Sequence, residues 1–169
     1  ENLEVLKLLI EAGGDVNATT KDGDSLLSWA TRDPAKVRML LEAGAKPDDR
    51  AMNSAASVET AKLLLAAGGR PDAGLKPAAQ AGDVPLIQLF LEKGADVNQD
   101  DEGYTALHVA ALQGGPDAVA LLLKHKADPN AVDKQQQTPL HHAVSGDGDP
   151  GVVKLLLDAG AKLNVADEE

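Results

Sequence analysis

The chain has 169 residues, enough for one ordinary domain or a short linear array, and 43% of them are apolar. One Trp, one Tyr and one Phe leave Ala and Leu to fill the core, and the absence of Cys excludes disulfides, thiolate catalysis and thiolate zinc sites. Sixteen Lys and Arg against 27 Asp and Glu give a net charge of -11 and no basic stretch to neutralise phosphates. We therefore expect no nucleic acid partner; with no run of the ~18 consecutive apolar residues of a spanning helix and no visible secretory leader, we expect no membrane insertion either.

In chain order, EVLKLLI (4–10) sets apolar residues on one helical face and runs into LLIEAGGDVN (8–17). Three apolar residues, a polar stretch and a Gly suit a helix whose last turn ends in a left-handed residue. VRMLL (37–41) leads in the same way into MLLEAGAKPD (39–48), and ETAKLLL (59–65) into LLLAAGGRPD (63–72). MNSAASVETAKLLL (52–65) leaves few residues for a turn between helices, so a very short or partly unwound first helix is expected there. KPAAQAG (76–82) reads as a small-residue helix ahead of PLIQLFL (85–91) and LFLEKGADVN (89–98). ALHVAALQG (106–114) stands in the same relation to AVALLL (118–123) and LLLKHKADPN (121–130), and TPLHHAV (138–144) to VVKLLL (152–157) and LLLDAGAKLN (155–164).

These six phrases begin at 8, 39, 63, 89, 121 and 155, separated by 31, 24, 26, 32 and 34 residues. A recurring period of that size means a repeat architecture, here a pair of antiparallel helices per unit. Ordering about 30 residues costs on the order of 30 to 60 kcal/mol. Three or four buried leucines return only about 1.5 to 3 kcal/mol each. Burial must therefore continue from each unit into its neighbours.

DEGYTALHVAALQGGPDAVALLLKHKADPN (101–130) and DKQQQTPLHHAVSGDGDPGVVKLLLDAGAKLN (133–164) carry the pattern over their whole lengths, and KDGDSLLSWATRDPAKVRMLLEAGAKPD (21–48) carries it with a shortened helix turn. On these motifs the chain resembles the ankyrin repeat family. The resemblance implies a mainly α fold, an α-solenoid of stacked antiparallel helix pairs with short β-hairpin fingers. It divides the chain as a single array into units at 1–17 (partial), 18–48, 49–72, 73–98, 99–130 and 131–164, with 165–169 starting a further finger.

Two fingers are expected to be missing. Asn17 to Leu27, Asn98 to Leu107 and Asn130 to Leu140 leave ten, nine and ten steps, whereas Asp48 to Met52 and Asp72 to Leu75 leave four and three. Lys126 stands where the other phrases carry Gly13, Gly44, Gly68, Gly94 and Gly160. Neither end reads as a polar cap, so a flanking domain or further repeats are expected at both ends.

TPLHHAV sets His141 beside His142, but adjacent helical residues point about 100° apart and do not naturally chelate one ion. The resemblance makes His108 and His141 structural, bonded near Thr105 and Thr138, with His142 at the variable position that follows; His125 reads as solvated. DGDPG (147–151) lacks the third acidic position and closing Glu of a calcium loop. The Gly pairs at 13–14 and 68–69 end helices rather than opening them, which disfavours phosphate cradling. No Ser/His/Asp set can be assembled, so no enzyme, metal or cofactor is expected. Trp29 is expected to pack between the first and second units, the alternative being a binding anchor, and Tyr104 to stand exposed on a finger as a contact residue.

In the ankyrin family, finger tips and first helices form a concave face that binds other proteins. The residues carried over to that face are Asp101, Glu102, Tyr104, Leu112 and Gln113 of the fifth unit. Lys134, Gln135, Gln137 and Ser145 follow from the sixth, and Lys21, Asp24 and Arg32 from the second. The expectation is a non-catalytic scaffold for a basic or mixed-charge protein partner, the alternative being a structural or regulatory segment of a larger enzyme, channel or signalling protein.

Overall fold

A computed structural model describes residues 3–145 and 148–163. The DGDPG run begins at residue 147 and the tail occupies 166–169, so the first residue of the one and all of the other lie outside the described residues. The chain divides into two compact units, Glu1–Gly74 and Leu75–Glu169.

The first unit holds α1 (Leu3–Glu11), α2 (Leu26–Ala30), α3 (Pro34–Glu42), α4 (Asp49–Asn53) and α5 (Val58–Ala66). Each later helix starts at a side-chain cap: Asp33 accepts from the Ala35 and Lys36 N–H groups at 3.0 and 3.3 Å, and Ser57 accepts from Thr60 N–H at 3.1 Å. Pro34 follows Asp33 at the first helical position, where its missing N–H costs nothing. α3 and α5 pack on each other, burying Val37 and Leu40 from one and Ala61 and Leu64 from the other. Thr60, wholly buried with them, donates its hydroxyl to the Thr31 carbonyl at 2.9 Å, so the seam carries no orphaned polar group. α4 has only five residues, as its crowded sequence requires.

In the second unit, α6 (Pro71–Gln80, belonging here from Leu75) is followed by α7 (Val84–Glu92) after a tight turn in which Asp83 N–H donates to the Ala78 carbonyl at 3.0 Å. Strands β1 (Asp100–Asp101) and β2 (Tyr104–Thr105) form a hairpin leading to α8 (Ala106–Val109) and a π-helical turn (Ala110–Gly114). α9 (Gly115–Lys124), α10 (Pro139–Ser145) and α11 (Pro150–Asp158) complete it. The outer helices α7, α9 and α11 pack in succession, and Ile87, Phe90, Leu122 and Leu156 are fully buried. The inner elements contribute Ala79, Ala106, Ala110 and Ala143, whose small side chains let backbones approach. Residues 106–124 are 19 consecutive helical residues of mean hydropathy 1.3, long and apolar enough to cross a membrane. Yet Gly115, at φ 78° and ψ 174°, breaks the regular helix, and 44% of the run is buried in the protein.

Neighbouring helix pairs are tied by one recurring side chain. Asn17 donates from Nδ2 to the Gly44 carbonyl at 3.1 Å and accepts from Lys46 N–H at 2.8 Å. Asn98 makes the same two bonds with the Lys126 carbonyl and Asp128 N–H, and Asn130 with the Gly160 carbonyl and Lys162 N–H. Where the phrase ends in Asp48 instead, the carboxylate accepts from Ala51 N–H at 2.7 Å and α4 begins at the next residue. A tie to the next turn has become a helix cap, and no finger intervenes.

The three expected fingers differ in finish. Thr19 and Ser25 form one isolated antiparallel bridge; β1 and β2 pair Asp100 with Thr105 and Asp101 with Tyr104 around Glu102 and Gly103, whose φ of 61° and 82° make a type I′ turn. A Cβ on Gly103 would run into the Val132 carbonyl, so that position requires Gly. At 133–137 there is a turn without a strand pair, closed by Asp133 N–H to the Gln137 carbonyl at 3.0 Å. Lys126 has φ 70°, in the left-handed region shared by the glycines at the other five phrase ends.

Candidate interaction surface

In the second unit the fingers are cross-braced by charge. Lys76 of α6 pairs with Asp101, and Lys134 pairs with Glu102 on the preceding finger; Gln80 Nε2 donates to Gln113 Oε1 at 2.9 Å. Lys76–Asp101 and Lys134–Glu102 thus form rungs between successive elements, and these two finger carboxylates are already matched by lysines. Asp101, Glu102, Gln113, Lys134, Gln135, Gln137 and Ser145 are exposed, whereas Leu112 is half-buried. Lys76 and Gln80 escaped sequence reasoning; opposite charges at the same register of successive units, as at Glu102 and Lys134, were a signal for the charged rungs alone.

The histidines are framework, with one addition. Thr105 N–H donates to His108 Nδ1 at 3.1 Å, so the ring proton sits on Nε2 and is donated to the Gln137 carbonyl at 3.2 Å. Thr138 N–H donates to His141 Nδ1 at 3.1 Å in the same manner. His142 is no free variable residue: its Nε2 donates to Asp133 Oδ2 at 2.8 Å. Asp133 is 5% exposed and also receives the Gln135 and Gln137 N–H groups, both at 2.9 Å. Burial acts to raise the Asp133 carboxyl, but the bond from His142 and the two backbone bonds outweigh it and hold it below the ordinary aspartate range. Burial pushes His108 below the ordinary histidine range, opposed by its bond to Gln137 and reinforced by His142. His125, expected to be solvated, is half-buried at the end of α9. Among the described residues no group of three or more His, Asp and Glu side chains could hold a metal ion.

Tyr104 is half-buried rather than exposed. Its ring lies 5.3 Å from that of His108 and 5.2 Å from that of His142, and His108 and His142 are 5.4 Å apart edge to face. The pattern reads position 104 as a finger surface, but the imidazole at 142 turns it into one wall of an aromatic cluster. Burial, and secondarily the Asp133 charge, push the phenol above its ordinary value.

In the first unit Lys21 and Arg32 are exposed, while Asp24 is half-buried and paired with Arg50. Ser28 replaces the patterned histidine: its N–H donates to Ser25 Oγ at 3.1 Å and its hydroxyl to the Ser25 carbonyl at 2.8 Å, closing the loop with a smaller group. Trp29 does not pack between repeats. It is 65% exposed, because α2 turns Leu27 and Ala30 inward and leaves residue 29 on the outer side of its five-residue turn.

Pairs of antiparallel helices, capped at their starts, closed by left-handed turns and tied by Asn side chains to the following pair, define a helical repeat protein. A family model for ankyrin repeats, in three copies, matches residues 75–167. The solved structure of an ankyrin repeat domain from Acinetobacter baumannii AYE is 31% identical, with a TM-score of 0.69 and 94% of each chain covered. The chain belongs to the ankyrin repeat family. It is also similar to the 2-5A-dependent ribonuclease of Mus musculus, at 42% identity over 48% of this chain and 13% of that protein. L-asparaginase of Dirofilaria immitis is 32% identical over 84% of this chain and 27% of its own length. Palmitoyltransferase ZDHHC13 of Homo sapiens is 33% identical over 96% and 29%. The chain spans less than a third of each of these three relatives. Ankyrin repeats are in general non-catalytic modules that mediate protein–protein interaction.

Proposed function

We propose that the chain is a non-catalytic scaffold that binds a protein partner on the face made by its fingers and first helices. The observation that carries this reading is the second unit's row of exposed polar side chains, Asp101, Glu102, Gln113, Lys134, Gln135 and Gln137, standing on backbone fixed by buried bonds at His108 and Asp133. Tyr104, Leu112 and Ser145 border that row, and Lys21, Asp24 and Arg32 make a corresponding patch in the first unit. Preorganised polar groups lose little freedom on binding, which favours specific recognition. A net charge of -11 steers basic or mixed-charge partners towards the chain. The repeat boundaries at 17, 48, 72, 98, 130 and 164 belong to the same reading.

The second reading is a structural or regulatory segment of a larger enzyme, channel or signalling protein, supported by relatives named as enzymes that the chain matches over less than a third of their length. The test immobilises the chain, identifies captured proteins, and repeats the capture with Gln113, Gln135 and Gln137 changed to Ala. Capture should fall with these changes and persist when Glu59 and Lys62 of α5 are changed instead. Equal capture by both sets would remove the finger face as the site.

A further inference from the structure

Unit one contains a pocket of which the scaffold reading uses only Asp24. It is a cleft of about 310 Å³ lined by Asp24, Ser28 and Trp29 on one side and Arg50, Asn53 and Ser54 on the other. Three observations single it out. Trp29 is the chain's only Trp and stands 65% exposed, while Phe90 is wholly buried and Tyr104 is half-buried. Exposing so large an apolar ring forgoes burial that the core of an aromatic-poor protein could have used. α4 starts directly after its Asp48 cap, so no hairpin stands before it and the cleft between α2 and α4 is left open. Lastly, the two charges in the lining are paired with each other, Arg50 with Asp24, and the remaining groups are neutral hydroxyls and an amide.

We infer that this cleft seats an uncharged apolar side chain, aliphatic or proline, from a segment of a partner protein, with Trp29 as the anchor. This rests on the scaffold reading above and adds a second contact point with its own chemistry. Charge complementarity selects the occupant. An inserted Lys or an inserted carboxylate would meet Asp24 and Arg50 together, and either could gain a partner only by breaking an ion pair already made. A neutral group covers the indole and leaves that ion pair intact, with the exposed Ser54 beside the segment's backbone. A Trp beside an Arg in a cleft is also the composition in which binding energy concentrates.

Because Trp29 is the sole tryptophan, emission of the full chain excited selectively in the indole band, beyond the absorption of Tyr104, reports this cleft alone. The probes are three acetylated and amidated heptapeptides: Ser-Gly-Leu-Pro-Leu-Gly-Ser, and the same frame with Lys-Gly-Lys or Glu-Gly-Glu at its centre. The Leu-Pro-Leu peptide should give a saturable blue shift and lower the acrylamide quenching of Trp29 about twofold, with neither charged peptide doing so. Ser54→Glu, which adds a charge to the cleft wall and leaves Trp29 in place, should weaken that binding about tenfold. No shift with the Leu-Pro-Leu peptide, an equal shift with either charged peptide, or indifference to Ser54→Glu overturns the assignment. In the capture assay Trp29→Ala, with an unchanged circular dichroism melt, should weaken partner binding at least about tenfold. Finger changes that abolish capture while Trp29→Ala leaves it intact sink the cleft and keep the scaffold reading; the reverse result keeps the cleft and sinks the finger site.

Discussion

Replacing Lys126 by Gly should stabilise the protein, although it deletes a side chain and loosens the unfolded chain. Lys126 holds φ 70°, and a non-Gly residue in that conformation costs roughly 1 to 2 kcal/mol. Gly gives some of this back by enlarging the unfolded ensemble, by about 0.4 to 1 kcal/mol. The Lys126 side chain is exposed, and its carbonyl would still accept from Asn98, so no other contact should change. The net expectation is about 0.5 to 1 kcal/mol of stabilisation, or a melting temperature higher by about 1 to 4 °C for a chain of this size. Gly44→Ala supplies the reciprocal measurement. Its φ is 91° and a Cβ there would meet nothing within 4 Å, so only backbone strain is introduced and stability should fall by a similar amount. Calorimetry and urea midpoints on both variants decide the matter. A lower midpoint for Lys126→Gly, or an unchanged one for Gly44→Ala, would refute the argument from backbone strain.

Acid should weaken the second unit in two stages. His108 binds its proton less readily folded than unfolded, so its contribution is complete above the ordinary value of 6.5 and declines as pH falls below it. Asp133 follows the same sign lower down, its contribution being lost as pH falls from 3.8 through its depressed folded value. A urea midpoint that stays flat between pH 7.5 and 5 would contradict the histidine stage. Asn98→Ala removes two bonds, at 3.1 and 2.8 Å, and should cost about 1 to 2 kcal/mol by chemical denaturation. Asp101→Asn weakens only an ion pair between an exposed carboxylate and the half-buried Lys76 and should change the melting free energy by less than about 1 kcal/mol.

The architecture was legible because periodic features carried it. Glycines at helix ends and Leu triplets recur in register, and the short gaps after Asp48 and Asp72 revealed the absent fingers. The roles of His108 and His141 came with the TPLH-type motif. Single-residue exposure was less legible. In one dimension Trp29 reads as packed between units and Tyr104 as exposed on a finger, yet a five-residue helix leaves the first in solvent and two imidazoles enclose the second. The pairs Lys76–Asp101, Lys134–Glu102 and His142–Asp133 join residues 25, 32 and 9 positions apart, and no local periodicity announces which long side chain will reach which neighbour.

The Asn17, Asn98 and Asn130 ties imply where the chain tolerates editing. Each reaches forward about one repeat to a backbone carbonyl and N–H that any following repeat of the same make would present, so at those junctions a whole helix pair could be excised or duplicated and the graft would re-seal. Asp48 offers no such socket, since its carboxylate is committed to the helix it begins. Length variants of this protein should therefore be recoverable by cutting after an Asn junction and should fail when cut after Asp48.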